Sequence, residues 1–239
     1  MFELHICTSY EEMSRKAADL VLETLQNKEV VLGLATGSSP VGMYKNLVDA
    51  YRKGQSFKHV TSFNLDEYVG IDQNHSQSYY TFMQENFFKH VDIPMDQIHI
   101  PTGVGHLNDV IQDYERQLKD HPQDLQVLGI GSNGHIGFNE PGSSFDSTCH
   151  VVDLKPQTIE DNARFFTSIT EVPTQAITMG IQDILRAKKI VLLASGEKKA
   201  QAIYEMIKGD IREEVPCTIL QKHPKVVVII DQEAGKLLK

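Results

Sequence analysis

The chain has 239 residues, a mass of 26.9 kDa and a formal net charge of -9 at pH 7. This acidic balance argues against a nucleic-acid-binding protein, because phosphate backbones are bound by clustered Lys and Arg. It is compatible with a small phosphorylated ligand, which needs only a few local cations. A chain of this length forms one large α/β domain or two small ones. On folding it buries about 70–75% of the surface that the unfolded chain exposes, so it needs no disulfide or metal to fold.

The composition also predicts a cytoplasmic protein. Cys7, Cys149 and Cys217 lie far apart and form no CxxC pair, which favours reduced thiols over a disulfide framework. The first residues, MFELHICTSYEEMSRKA, carry acidic side chains and lack the long apolar run of a secretory signal. No apolar segment approaches the roughly 20 residues that a membrane-spanning helix requires. We therefore expect no membrane partner.

Segments with strand-like and helix-like apolar patterns alternate along nearly the whole chain. In chain order, the pattern predicts a strand at 2–7, a helix at 10–26, a strand at 30–35, a helix at 41–51, a strand at 60–65, a helix at 79–90, a strand at 98–100, a helix at 107–119, a strand at 126–130, a helix at 158–166, a strand at 189–194, a helix at 198–207 and a strand at 226–230. The core strands are continuous Val, Ile and Leu runs, which indicates burial on both faces, as in a parallel sheet. The alternation predicts an α/β fold with a doubly wound, mostly parallel sheet and helices on both faces. We expect a single domain over residues 1–239, with irregular loops at 68–78 and 139–160.

Polar loops follow four of the predicted strands. They read TGSS at 36–39, LDEY at 65–68, SNGHIGFNE at 132–140 and SGEKK at 195–199. In doubly wound folds, ligands bind outside the carboxyl ends of the parallel strands. The four loops are therefore expected to line one pocket.

Two of these loops carry candidate acid/base residues. Asn133, His135 and Glu140 lie within one stretch of eight residues. This stretch is rich in glycine and is poorly suited to building a core. Asp66 and Glu67 follow another strand, where neighbouring side chains point to opposite sides. One of these two carboxylates is expected to face the pocket and the other to face packing or solvent. The set suggests general acid/base chemistry on a small molecule.

The segment GLATGSSP at 33–40 joins a strand to a helix and is a candidate phosphate cradle. Free N–H groups at the start of a helix and the Ser38 and Ser39 hydroxyls would face an anion beyond Gly37. Pro40 suits the first helical turn, where its missing N–H costs nothing. An ordinary capped strand-to-helix turn explains the same residues, and the segment lacks the GK[ST] of a Walker A loop.

Two basic residues are candidate anion clamps. Arg164, in NARFF, lies among aromatic residues that could hold its planar guanidinium for bidentate contact. Lys199, in SGEKKA, lies at the start of a predicted helix, where a cation is unfavourable unless an anion is nearby. A solvated helix face is the alternative for each residue taken singly.

The run GIGSNG at 129–134 matches the GxGxxG of dinucleotide-binding loops, and Asp153 follows at about the expected distance. The third glycine of that motif must open a helix, whereas Pro141 and Gly142 soon follow here. We therefore do not expect nicotinamide binding. A metal site is also disfavoured, because His135 has no HxxxH, HExxH or cysteine partner near it.

The motifs GLATGSSP, NLDEYVG, GIGSNGHIGFNEPGSSF, NARFF, SGEKKA and LQKHPKVVVIID, in this order along nearly the whole chain, resemble the glucosamine-6-phosphate deaminase (isomerase) family. The resemblance implies a Rossmann-like α/β fold and a reaction that needs no metal or organic cofactor. It also implies conversion of glucosamine 6-phosphate and water to fructose 6-phosphate and ammonia.

The resemblance further assigns roles to individual residues. It makes Asp66 the base that moves a proton between C2 and C1 of the open-chain sugar, and His135 the acid/base that opens the pyranose ring. Glu140 and Asn133 would orient and tune His135. Many relatives carry Asp at the position of Asn133, so here Glu140 would supply most of the negative charge to the imidazolium. The implied phosphate contacts are Gly37, Ser38, Ser39, Arg164 and Lys199.

Two alternatives belong to other functional classes. A 6-phosphogluconolactonase-like hydrolase on the same scaffold would need no carbon base such as Asp66. A non-catalytic sugar-phosphate sensor would retain the anion contacts, but it is expected to lose the acid/base residues and to gain a DNA-binding helix pair. The sequence leaves open whether the chain assembles with copies of itself.

Overall fold

The computed structural model describes residues 2–238, and its centre is a seven-stranded parallel sheet. In chain order its strands are β1 (Glu3–Cys7), β2 (Val30–Leu34), β3 (Val60–Asn64), β5 (Ile98–His99), β6 (Leu125–Leu128), β9 (Ile190–Ala194) and β10 (Val226–Asp231). In space they run β1-β10-β9-β6-β2-β3-β5. The helices that flank the sheet are α1 (Tyr10–Thr24), α2 (Val41–Arg52), α3 (Tyr79–Asn86), α4 (Leu107–Asp120), α5 (Pro156–Ala163), α6 (Ile181–Leu185) and α7 (Ala200–Lys208). The predicted doubly wound α/β fold is confirmed.

The central strands are buried along their length, as their apolar sequences predict. Every residue of β6 and β9 is buried, and so are the first five residues of β10. Together with the inner faces of the flanking helices, these strands form one large apolar cluster. Burial on both faces is the reason that these strands lack the polar alternation of a half-exposed sheet.

A second sheet, of three antiparallel strands, was not predicted. It consists of β4 (Asp66–Tyr68), β8 (Gln175–Thr178) and β7 (His150–Asp153), in the order β4-β8-β7. A smaller apolar cluster around Tyr68 and Phe138 packs against it. These strands are short, and their partners lie far away along the chain, so no local pattern announces them.

The second sheet corrects one expectation. The segment at 139–160 was expected to be an irregular loop, but it contains β7 and the start of α5. Strand β7 carries half-buried and exposed side chains, so its sequence lacks the continuous apolar run that marks the central strands. The predicted helix at 79–90 also ends early, at Asn86, and a 3-10 turn follows at Phe88–His90.

The three cysteines are buried, and none forms a disulfide. Between residues 2 and 238, no helix combines the length and the hydropathy that a bilayer crossing demands.

Candidate active site

A cavity of about 840 Å³ lies at the carboxyl edge of the parallel sheet. Its walls are built by the four polar loops after β2, β3, β6 and β9, by α3, and by α5 with the segment that follows it. The volume suits a small organic ligand. Parallel strands all present their carboxyl ends to the same edge, so the topology alone brings these loops together.

The candidate phosphate residues all line the cavity: Gly37, Ser38, Ser39, Arg164 and Lys199. Arg164 is exposed, and its guanidinium carbon lies 4.6 Å from the centre of the Phe165 ring. Lys199 ends a 3-10 turn directly before α7. Burial lowers the pKa of Lys199, and the nearby carboxylate of Asp161 opposes that shift.

Tyr10, at the start of α1, fixes the loop after β2 from behind. Its hydroxyl donates to the backbone oxygen of Ser38 at 2.9 Å and accepts from the N–H of Gly42 at 2.8 Å. The loop is therefore attached at two points to a residue of another helix.

Asp231, at the end of β10, fixes the loop after β9 in a similar way. Its carboxylate accepts from the Ser195 hydroxyl at 2.5 Å, from the Gly196 N–H at 3.0 Å and from the Ala234 N–H at 2.8 Å. This contact joins two neighbouring strand ends and holds the loop that leads into Lys199.

His135 reaches the cavity from the loop after β6, with Glu140 behind it. Its Nδ1 lies 3.4 Å from Glu140 Oε2, and the two side chains are 19% and 3% exposed. Asn133 ties this pair to the backbone, because its Nδ2 donates to Glu140 Oε2 at 2.8 Å and its Oδ1 accepts from the His135 N–H at 3.1 Å. The imidazole packs so closely on Gly131 that a Cβ there would lie 2.6 Å from the ring.

Glu140 is held as an anion. Burial alone would raise the pKa of its carboxyl, but contacts with His135, Thr158 and Asn133 hold that pKa at about 2. The Lys155 N–H also donates to Glu140 Oε1, at 3.3 Å. The charged carboxylate of Glu140 therefore faces the imidazole of His135.

Asp66 and Glu67 point to opposite sides of β4, as expected. Asp66 lines the cavity, whereas Glu67 is buried against the start of α3. Burial, followed by the charge of Glu67, raises the pKa of Asp66 to about 8. The cavity wall approaches Asp66 closely at Gly137, which has φ of +56°, and a Cβ there would lie 2.9 Å from Thr178 Oγ1.

Sequence reasoning missed the aromatic wall beside Asp66. Tyr68, Tyr79, Phe138 and Phe166 line the cavity, and the Tyr68 ring centre lies between 4.8 and 5.8 Å from the other three. Strand alternation could have found Tyr68, because residues two apart face the same side and Asp66 already faces the cavity. No sequence signal points to the other three.

Thr158 and Asp161, both on α5, were also missed. Thr158 is buried and interacts with Glu140. Asp161 accepts from the Ser132 hydroxyl at 2.9 Å and lies on the cavity wall. Within residues 2–238, no group of three or more His, Cys, Asp or Glu side chains is arranged to hold a metal ion.

The fold and the cavity define a class: an α/β protein whose cavity, at the carboxyl edge of a parallel sheet, is lined by ionisable side chains that include Asp66, His135, Arg164 and Lys199. Residues 8–229 match the family model described as glucosamine-6-phosphate isomerases/6-phosphogluconolactonase. The chain belongs to this family.

Individual relatives agree with that assignment. The chain is 52% identical to a glucosamine-6-phosphate deaminase of Thermoanaerobacter pseudethanolicus, over 98% of this chain and 94% of the relative. It is equally identical to a protein of the same name from Mycoplasma mycoides, over 99% and 97% of the two chains. A solved monomeric glucosamine-6-phosphate deaminase is 43% identical with a TM-score of 0.97, covering 99% of this chain and all of the other. The 6-phosphogluconolactonase of Trypanosoma brucei shares the fold, with a TM-score of 0.83 at 18% identity over 100% and 99% of the two chains.

Proposed function

We propose that this protein converts glucosamine 6-phosphate and water to fructose 6-phosphate and ammonia, without a metal or organic cofactor. One observation carries the proposal: a buried carboxylate, Asp66, and a paired imidazole, His135, line the same cavity as a basic anion-binding end. Close relatives named for this activity support it.

The phosphate of the substrate would bind at the end lined by Gly37, Ser38, Ser39, Arg164 and Lys199. Charge-assisted hydrogen bonds from Arg and Lys are about twice as strong as neutral ones. Binding energy at this remote group orients the reacting carbons, which is the use that enzymes make of non-reacting parts of a substrate.

His135 would open the pyranose ring by taking the proton of the C1 hydroxyl and delivering a proton to the ring oxygen. Glu140 stays ionised behind it and stabilises the imidazolium that forms between these two steps. Asn133 holds both groups through its two ends. Its amide cannot add a second negative charge, so the pair works with one carboxylate.

Asp66 would remove the proton from C2 of the open-chain sugar and return a proton to C1. The electron pair of the C2–H bond forms the C1–C2 double bond while the C1 carbonyl oxygen takes up a proton, which gives the enaminol. Protonation at C1 then draws the nitrogen lone pair into an imine at C2, and the amino group gives up one proton, which balances the proton taken up by the C1 oxygen. Water adds to that carbon, and ammonia leaves to give the ketone. A base whose pKa is close to the working pH both accepts and returns a proton efficiently, which fits a value of about 8.

The direct test is to incubate the protein with glucosamine 6-phosphate and to quantify ammonia and fructose 6-phosphate together. We expect the two products in equal amounts. Asp66→Asn should still bind inorganic phosphate but should lose both product formation and solvent-deuterium exchange at C2. Near-normal turnover by that variant would contradict the role of Asp66.

A second experiment isolates ring opening. His135→Gln should slow the reaction to a rate limited by spontaneous opening of the sugar in water. An open-chain analogue that cannot cyclise should lose much less activity in the same variant. An equal loss with both substrates would show that His135 acts at a later step.

Assays of the same protein preparation with two substrates distinguish the alternative functions. A lactonase would hydrolyse 6-phosphogluconolactone and release no ammonia from glucosamine 6-phosphate. A sensor would bind the amino sugar phosphate and turn over neither compound. We expect neither pattern.

The assembly state does not enter this scheme, because every residue assigned a role belongs to one chain. We propose that the enzyme acts without side chains from a second copy. Specific activity should stay constant from nanomolar to micromolar protein, whatever light scattering shows for the mass. A loss of specific activity on dilution would contradict this.

A further inference from the structure

Glu67 is a buried carboxylate that the scheme above does not use. It is 3% exposed and does not line the cavity. Its carboxylate accepts from three backbone N–H groups: those of Tyr68 and Tyr79 at Oε1, both at 2.9 Å, and that of Tyr80 at Oε2, at 3.0 Å. Among residues 2–238, no Lys, Arg or His side chain forms an ion pair with it.

These contacts account for the free N–H groups at the start of α3. Glu67 satisfies the N–H groups of Tyr79 and Tyr80, and the Ser78 hydroxyl satisfies that of Thr81 at 3.0 Å. A helix leaves such groups unpaired, and a negative charge is favourable beside them. Glu67, which is more than ten residues away along the chain, therefore caps the helix that carries Tyr79.

Asp66 and Glu67 have opposite surroundings although they are neighbours. Glu67 accepts three backbone hydrogen bonds, whereas no N–H or O–H group among residues 2–238 donates to the Asp66 carboxylate. When two neighbouring buried carboxylates compete for one proton, the carboxylate that accepts more hydrogen bonds stays charged, and the proton resides on the other. Burial raises the pKa of Glu67, and its three backbone donors oppose that shift, so the negative charge of the pair rests on Glu67, next to Asp66.

We propose that Glu67 is a positioning residue for the reaction proposed above: it holds Tyr79 and the start of α3 against β4, and it places a carboxylate next to Asp66. The proposal rests on the assignment of Asp66 as the carbon base. Tyr79 belongs to the aromatic wall beside Asp66, so a displaced α3 would also change the shape of the cavity there.

The other ionisable groups around Asp66 do not supply this charge. Burial raises the pKa of Tyr68 to about 12, and it raises the pKa of Tyr79 and Tyr114 well above 10, so all three stay neutral. Strand β8, which pairs with β4, carries no ionisable side chain. His135 and Glu140 lie on the facing loop and are paired with each other.

Two variants of Glu67 separate the effect of its side-chain length from the effect of its charge. Glu67→Gln keeps the reach but loses the charge, so the acid limb of the kcat/KM profile should move to lower pH by about one unit or more. Its kcat should fall about tenfold or more, because a weaker base and a loosened α3 both slow proton transfer. Glu67→Asp keeps the charge but is too short for all three hydrogen bonds. It should lose kcat while the acid limb stays in place.

A matched control is Asp183→Asn. Asp183 is 2% exposed, caps α6 by accepting from the Gly180 N–H at 3.0 Å, and lies outside the cavity. It should lose stability without moving the acid limb. Inhibition by inorganic phosphate should change less than about threefold in all three variants, since the anion-binding end is untouched.

The titration of Asp66 can also be followed without any activity. The stability gained by Asp66→Asn grows with pH until Asp66 ionises in the folded chain, and the pH at which the gain levels off marks the midpoint of that titration. Glu67→Gln is introduced into both the parent and Asp66→Asn, and it should lower the midpoint. The same comparison in chains that also carry His135→Gln tests whether the His135 imidazole, rather than Asp66, is the group that titrates. An unmoved midpoint would overturn the proposal, even if kcat falls. If Glu67→Gln does not fold, normal kcat in Glu67→Asp would overturn it instead. Absence of deaminase activity in the parent would refute the proposed function and leave the midpoint test intact.

Discussion

At the scale of the residue, Asp66 shows how a buried carboxyl in a cavity wall can oppose stability. Its carboxyl is buried, and its pKa rises to about 8, whereas an Asp in an unfolded chain has a pKa of about 3.9. Between these two values the folded chain holds a proton that the unfolded chain has lost. The free energy of unfolding therefore falls as pH rises from about 4 to about 8.

Asp66→Asn removes this cost and should stabilise the protein above pH 4. We expect a gain that grows with pH and reaches about 1–3 kcal/mol near pH 8. For a chain of this length, each kcal/mol corresponds to about 2–4 °C in Tm. Thermal unfolding of parent and variant from pH 4 to 8 measures the gain. Asp19→Asn, on the exposed side of α1, is the control. A constant difference across the range would contradict the prediction.

The sequence was sufficient to select Asp66, His135 and Glu140 as candidates, because polar side chains stand out at the ends of apolar strands. It could not decide which of Asp66 and Glu67 faces the cavity. Strand alternation requires only that they differ. The choice depends on α3, whose first N–H groups attract Glu67 to the other side.

At the scale of the element, the two loops proposed to bind the phosphate are held by residues of other elements. Tyr10 of α1 holds the loop after β2, and Asp231 of β10 holds the loop after β9. A loop that is fixed before the ligand arrives loses less conformational entropy on binding. Neither attachment is visible in the motifs, since Tyr10 and Asp231 lie about 30 residues or more from the loops that they hold.

Tyr10→Phe tests the first attachment. It removes the hydrogen bonds to Ser38 and Gly42 while keeping the ring in place. We expect KM for glucosamine 6-phosphate and the inhibition constant of inorganic phosphate to rise together, by about three- to tenfold for the loss of about 1 kcal/mol. The effect on kcat should be smaller. Tyr204→Phe, on the exposed face of α7, is the matched control. Unchanged phosphate inhibition would show that the loop holds its conformation without Tyr10.

At the scale of the whole molecule, the two sheets are joined end to end. Strand β4 begins two residues after β3 ends, and Leu65 between them accepts from the Met179 N–H at 2.7 Å. Leu65 belongs to the large apolar cluster, whereas Tyr68 belongs to the smaller one. The small sheet therefore cannot separate without exposing the edge of the main core and opening the cavity.

We predict that the chain unfolds as one domain. Far-UV circular dichroism, which reports the helices, and the fluorescence of the eight tyrosines, in a chain without Trp, should give coincident denaturation curves. Tyr68 and Tyr79 belong to the apolar cluster of the small sheet, so separate melting of this sheet would shift the fluorescence curve to lower denaturant. Two distinct midpoints would contradict a single domain.

The sequence by itself determined the parallel sheet, the position of the site at its carboxyl edge and most of the candidate residues. These features follow from local patterns: continuous apolar runs, helical periodicity and polar loops at strand ends. Tertiary structure alone decided the antiparallel sheet, the aromatic wall, the capping of α3 by Glu67 and the attachment of the loops after β2 and β9. Each of these depends on contacts between residues far apart in the chain, such as Asp66 with Thr178, and such contacts impose no periodicity on either segment.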